Sequence, residues 1–224
     1  MQKVKIYLTG FFSILFLAGC QSPKFAYQAP PPSLNGNGPS IAVMPLTDCR
    51  TNRDMDKILE KGYLVDVQKA IGDELQSMNA FRSVTVITNE TTSPTTDLKL
   101  NPKLCRLDWE IPHYGELEAK AFAVGLLTGI VGGAIYASTG IDVHGHSILD
   151  VSVNQTATAQ TIFSFEYSDD VTNRLKKAVC DTPNTQASMM LQAFQKTMCE
   201  MKTDLGKNLS KSVPEATNSV TSQK

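Results

Sequence analysis

Read as alternating apolar and polar positions, the chain resolves into short periodic stretches. Residues 41–46, Ile-Ala-Val-Met-Pro-Leu, form a β-branched apolar run closed by Thr47 and Asp48, the pattern of a buried strand. Leu64, Val67, Ile71, Leu75 and Met78 recur at spacings of three and four, which predicts a helix over 64–78 with one apolar stripe. Residues 81–87 alternate as a strand, and 88–97 form a Thr-rich loop. In 104–111 the alternation puts Cys105, Leu107, Trp109 and Ile111 on one face and Arg106, Asp108 and Glu110 on the other. Residues 147–153 direct Leu149, Val151 and Val153 inward, and 161–167 place Phe163, Phe165 and Tyr167 on one face. The polar stretch between them predicts a hairpin. A last helix over 186–209 carries the stripe Leu191, Phe194, Met198, Met201, Leu205 and Leu209, and the polar residues 210–224 predict a disordered tail. The expected fold class is α+β: a mixed sheet of about five strands with two main helices packed on one face.

One segment breaks this pattern. Residues 121–141, between Lys120 and Asp142, carry no charge and have no polar face. A membrane span needs about 20 apolar residues, and the segment satisfies that length. A core helix would show a polar stripe, and the rest of the domain has too few apolar residues to enclose one without it. Gly125, Gly129, Gly133 and Ala137 recur every four residues, so on a helix they form a ridge of small side chains that admits close packing by a second helix. The expectation is an apolar Gly-rich helical insertion that enters a bilayer or packs against further copies of the chain.

The amino-terminal end sets the address. Lys3 and Lys5 precede an apolar run from Ile6 to Leu17, which closes on Leu17-Ala18-Gly19-Cys20. This segment resembles the signal and lipobox of bacterial lipoproteins. The resemblance implies a signal peptide over 1–19, cleavage before Cys20, diacylglycerol on its thiol and an acyl chain on the new amino terminus. Such a chain is held stably by a lipid bilayer, where one acyl group alone is marginal. Gln21, in place of the Asp that favours retention in the inner membrane, implies the outer membrane. Residues 20–40 then read as a lipidated cysteine and a tether rich in Pro and Gly, about 70 Å long at full extension. The domain proper is expected over 41–209.

Composition narrows the functions. A net charge of −1 with no Lys/Arg-rich run gives no sign of a nucleic-acid partner, and none is expected. An exported chain matures where disulfides persist, so Cys49, Cys105, Cys180 and Cys199 are disulfide candidates. Of three possible connectivities, Cys180–Cys199 with Cys49–Cys105 is favoured. No glycine loop of P-loop type and no G-x-S-x-G elbow occurs, no cofactor is indicated, and the chain reads as non-enzymatic. His144 and His146 share a face if extended and are candidate metal ligands, with His113 or Asp142 as further donors. The alternative is a polar loop re-entering the sheet.

The opening Ile41-Ala-Val-Met-Pro-Leu-Thr-Asp48, the following helix and residues 75–87 resemble the β-α-β start of small envelope domains. These are the TolB amino-terminal domain, the curli secretion lipoprotein and the penicillin-binding-protein activator lipoprotein. The resemblance implies a role in envelope assembly rather than an activity. The expected function is a periplasm-facing structural or accessory lipoprotein that oligomerises or docks in an envelope protein complex through 121–141. The alternatives are a regulator module for an envelope enzyme and a metal-binding domain.

Overall fold

The computed structural model describes residues 22–32, 36–89, 94–120, 123 and 138–212. Along these the strands are β1 (Ser40–Val43), β2 (Thr47–Asp48), β3 (Ser83–Val86), β4 (Leu98–Glu110), β5 (Gly140–Gln155) and β6 (Thr161–Lys176). The helices are α1 (Tyr63–Ser77), α2 (Lys177–Cys180) and α3 (Pro183–Ser212), with a short 3-10 turn over Asp54–Lys57. Residues 114–120 are also helical. One mixed sheet runs in the order β3-β1-β4-β5-β6, with β2 beside β4. β1 is parallel to β3 and β4, whereas β4-β5 and β5-β6 are antiparallel. A parallel β1-β3 pair cannot be closed by a tight turn, and α1 supplies the crossover.

Both long helices lie on one face of the sheet. Val67, Ile71 and Leu75 of α1 and Phe194, Met198, Met201 and Leu205 of α3 are buried against Leu100, Leu104, Leu107, Leu149, Val151 and Val153. The stripes expected on both helices are therefore the faces turned to the sheet, with Leu64 and Leu191 only half-buried at their edges. Met189 and Met190, outside the expected stripe, are buried as well. A Cβ on Gly145 would collide with the backbone carbonyl of Met189, so glycine is what lets the first turns of α3 approach β5.

Three expectations need correction. β4 begins at Leu98, six residues earlier than its clean alternation, and carries Pro102. A bulge between Leu104 and Arg106 shifts the register against β5. Leu104 and Leu107 are thus both buried, while the Cys105 sulfur lies 3.4 Å from Asp150 Oδ2, not on the apolar side with Leu107. β5 starts at Gly140, so Gly140 and Ile141 of the apolar insertion and His144 and His146 are strand, not loop.

The third correction concerns 20–40, read above as a free tether. Residues 22–32 and 36–40 lie along the helical layer. Phe25 is 5% exposed, with its ring centroid 5.3 Å from that of Phe194 and 6.4 Å from that of Tyr63. Tyr27 packs edge-on to Phe194 at 5.7 Å, and its hydroxyl donates to Glu74 at 2.8 Å. Gly36 and Gly38 pass so close to the backbone of Ala80 and Phe81 that no side chain would fit. Phe25 and Tyr27, two apart in an extended chain, turn the same way into the groove. A reading weighted by prolines overlooks them.

Candidate functional site

The open face of the sheet, opposite the helices, collects the chain's polar chemistry. Even-numbered residues of β5 point there, and His144 and His146 are among them. The register sets Glu110 and Thr172 beside His144, and Asp108 and Asp170 beside His146. The two rings stack at 6.2 Å with planes 7° apart. His144 Nδ1 meets Thr172 Oγ1 at 2.9 Å. His146 is buried; its Nδ1 is held by Asp170, and its Nε2 faces Glu110 Oε1 at 3.7 Å. Arg106 donates to both oxygens of Asp108, at 3.0 and 2.9 Å.

The geometry brings the two histidines together, as their i, i+2 spacing implied, but their Nδ1 atoms are engaged by Thr172 and Asp170. Among the described residues no group of three or more His, Cys, Asp and Glu side chains is arranged to hold a metal ion. His113 lies off the strand at φ 58° beside Glu116, and Asp142 precedes His144 on the exposed end of β5. An imidazole between carboxylates on a polar sheet face offers recognition of a complementary polar surface.

The cysteines divide differently from the expectation. Cys49 and Cys105 are bridged, with Cα atoms 4.8 Å apart. Cys180 and Cys199 are free, the first buried and the second exposed. Their expected bridge is excluded by helix length. Cys180 precedes Pro183 by three residues, and Cys199 lies sixteen residues into α3. At 1.5 Å per residue that is about 24 Å along the axis, beyond what three residues and a bridge can return. Burial pushes the Cys180 thiol above its ordinary pKa.

A buried polar knot secures the bridged region. The Arg50 side chain is 1% exposed and pairs with Asp48 at 2.8 Å and Asp56 at 3.0 Å. Its guanidinium lies 5.4 Å from the Tyr63 ring centroid. The hydrogen bond from Arg50 holds the Asp48 carboxyl below the usual range. Tyr63 donates to Asp56 at 2.7 Å. A buried carboxylate, Glu74, takes Lys202 at 3.0 Å together with Tyr27. Sequence reasoning missed both knots, because Asp48, Arg50 and Asp56 fall in a stretch without periodicity and Glu74 and Lys202 lie on different helices.

Cys20 lies outside the described residues, as do Gly125, Gly129, Gly133 and Ala137 and most of 210–224. Among the described residues no helix is long and apolar enough to cross a membrane.

No family model matches the chain, and no curated protein matches it. Solved structures do. Protein XCC0632 from Xanthomonas campestris, under the family model DUF330, superposes with a TM-score of 0.52 at 9% identity, covering 84% of this chain and 96% of that one. A Helicobacter pylori protein designated a neuraminyllactose-binding hemagglutinin homolog gives 0.51 at 12% identity, covering 84% and 93%. A Caulobacter crescentus protein designated a lipoprotein gives 0.38 at 11%, covering 75% and 93%. At these identities the first two likenesses define the fold alone: an α+β domain of a mixed sheet with helices on one face. They do not show the narrower resemblance to the TolB, curli secretion and synthase-activator domains.

Proposed function

We propose that this chain is a bacterial lipoprotein, lipidated at Cys20 and facing the periplasm, that serves as a non-enzymatic structural or accessory component of an envelope assembly. The observation that carries the reading is Leu17-Ala18-Gly19-Cys20 at the end of an apolar signal, directly ahead of a folded domain. Gln21 favours the outer membrane. The uncharged segment 121–141, with its ridge of Gly125, Gly129, Gly133 and Ala137, is the surface through which the chain docks or oligomerises. The bridge between Cys49 and Cys105 suits an oxidising compartment.

In fractionated cells the wild-type protein stays with the membranes through high-salt and carbonate washes, and Cys20→Ala moves it to the soluble or unprocessed fraction. Equal membrane retention of both forms with no lipid on either contradicts the proposal. The docking role has its own test: Gly129→Leu with Gly133→Leu should abolish a detergent-stable complex that the lipidated wild type forms. A wild type that is monomeric and captures no crosslinked neighbour sinks it. A second reading, a regulator that binds an envelope enzyme, is favoured by the open polar face of β4, β5 and β6.

A further inference from the structure

β6 closes one side of the sheet, and among the described residues its outer edge pairs with no further strand. It has 16 residues, against 4 in β3 at the opposite edge. Folded proteins usually keep unpaired edges short or blunt them with proline, because the free backbone groups offer a template to another strand. β6 contains neither Pro nor Gly, and its register on β5 is unbroken from Phe163 to Lys176.

Two contacts fix which backbone groups of β6 face outward. Just past the ladder the Lys177 N–H donates to Thr139 O at 3.1 Å, in step with the Gly140–Lys176 pair. Odd-numbered residues of β6 therefore direct their N–H and C=O to β5. Asp170 O, at an even position, instead accepts from Lys196 Nζ at 3.1 Å. The even-numbered residues from 164 to 176 thus present their N–H and C=O outward, and their side chains are exposed.

The charges along this edge are sorted by sign. Glu166 lies toward one end, paired in register with Asp150 of β5, a like-charged neighbour. Arg174 and Lys176 close the other end. Among the described residues none of Glu166, Arg174 and Lys176 has an ion-pair partner. Exposed apolar surface gathers here too. Of the exposed large hydrophobic side chains among the described residues, all but Val65 lie on β6 or on α2 directly after it: Ile162, Phe165 at 40% and Val179 at 46%.

We propose that β6 pairs antiparallel with β6 of a second copy of this chain, about a two-fold axis at Val171, and joins the two sheets into one. A strand with its negative charge toward one end and its positive charges at the other is complementary to itself when run antiparallel. With the axis at Val171, even-numbered residues meet even-numbered residues, as the outward backbone groups require. Glu166 then lies across from Lys176 of the second copy, Ser168 from Arg174 and Asp170 from Thr172, each pair repeated by symmetry. The carboxylate beside Asp150 thereby acquires a cation. On the helix side Asp169 meets Asn173, and Val171 meets its own copy. α2 of the second copy follows its Lys176 past Glu166, which brings its Val179 toward the exposed Phe165. An axis at Asp169 or Asp170 would set that carboxylate against itself, and one at Ser168 would set Asp170 against Glu166. An axis nearer Lys176 leaves Glu166 without its cation. The pairing uses β6 and α2, apart from the uncharged run 121–141.

The test is sedimentation equilibrium of the full-length protein in a density-matched detergent. The wild type is expected to form a concentration-dependent dimer. The Ser168 N–H faces away from β5, so Ser168→Pro removes no bond of the β5-β6 ladder while it blocks the outer edge. This variant should keep the far-UV circular dichroism of the wild type and sediment as a monomer. Glu166→Lys and Lys176→Glu, each alone, put like charges across the axis and should weaken self-association several-fold. An equimolar mixture of the two restores opposite charges in both pairs and should return the wild-type affinity. A wild type that stays monomeric overturns the pairing. Self-association unchanged in folded Ser168→Pro overturns it as well; if Gly129→Leu with Gly133→Leu then abolishes that association, the docking role of 121–141 stands without this interface. Where Ser168→Pro fails to fold, the mixture decides: association no tighter than in either single variant overturns the pairing.

Discussion

Phe25 is where a single side chain changes the meaning of a segment. It lies among five prolines and little else that is apolar, yet it fills the groove between α1 and α3 and makes 22–32 part of the domain. Phe25→Ala removes a buried ring between Phe194 and Tyr63 and should cost about 3–4 kcal/mol, read as a lower urea midpoint at unchanged slope. A mutant as stable as wild type would return the segment to a free tether. The histidines show the complementary case. Their shared face was legible from i, i+2 spacing once they were placed on a strand. Their partners Asp170, Thr172 and Glu110 come from two other strands, and only register could reveal them.

The elements with a strong period were legible. α1 and α3 follow their apolar stripes to within a turn, and Leu149, Val151 and Val153 face the core as alternation implied. Elements without a period were not. β2 spans two residues and is defined by its pairing with β4. The first half of β4 holds Asn101 and Pro102, whose types argue against a strand. Its bulge then reverses the face of Cys105, a change that no residue type announces. Cysteine pairing likewise depended on element length, since a helix of 30 residues carries Cys199 away from Cys180. One bridge and two thiols are thus expected besides Cys20. Thiol titration of the unfolded, unreduced protein should count two, and reduction should remove about 4 kcal/mol of stability for a closed loop of this size. A count of zero or four contradicts the assignment.

At the scale of the molecule, the strap of 22–32 and 36–40 and the two long helices cover one face of the sheet. The strap is held at the start of α1 by the hydrogen bond from Glu60 to Pro23 and enters β1 where Ser40 bonds Asp97. The mixed α+β sheet was legible from the order of elements. The place of the strap was not, because it depends on the contacts of Phe25 with Phe194 and of Glu60 with Pro23.

The account rests on a lipid at Cys20. Its most direct test is the mass of the mature protein extracted from membranes, with sequencing of its amino-terminal peptide. The account predicts a chain that begins at Cys20 and carries diacylglycerol and an acyl group on that residue. A mature chain that retains Met1, or that begins elsewhere with an unmodified Cys20, would contradict it.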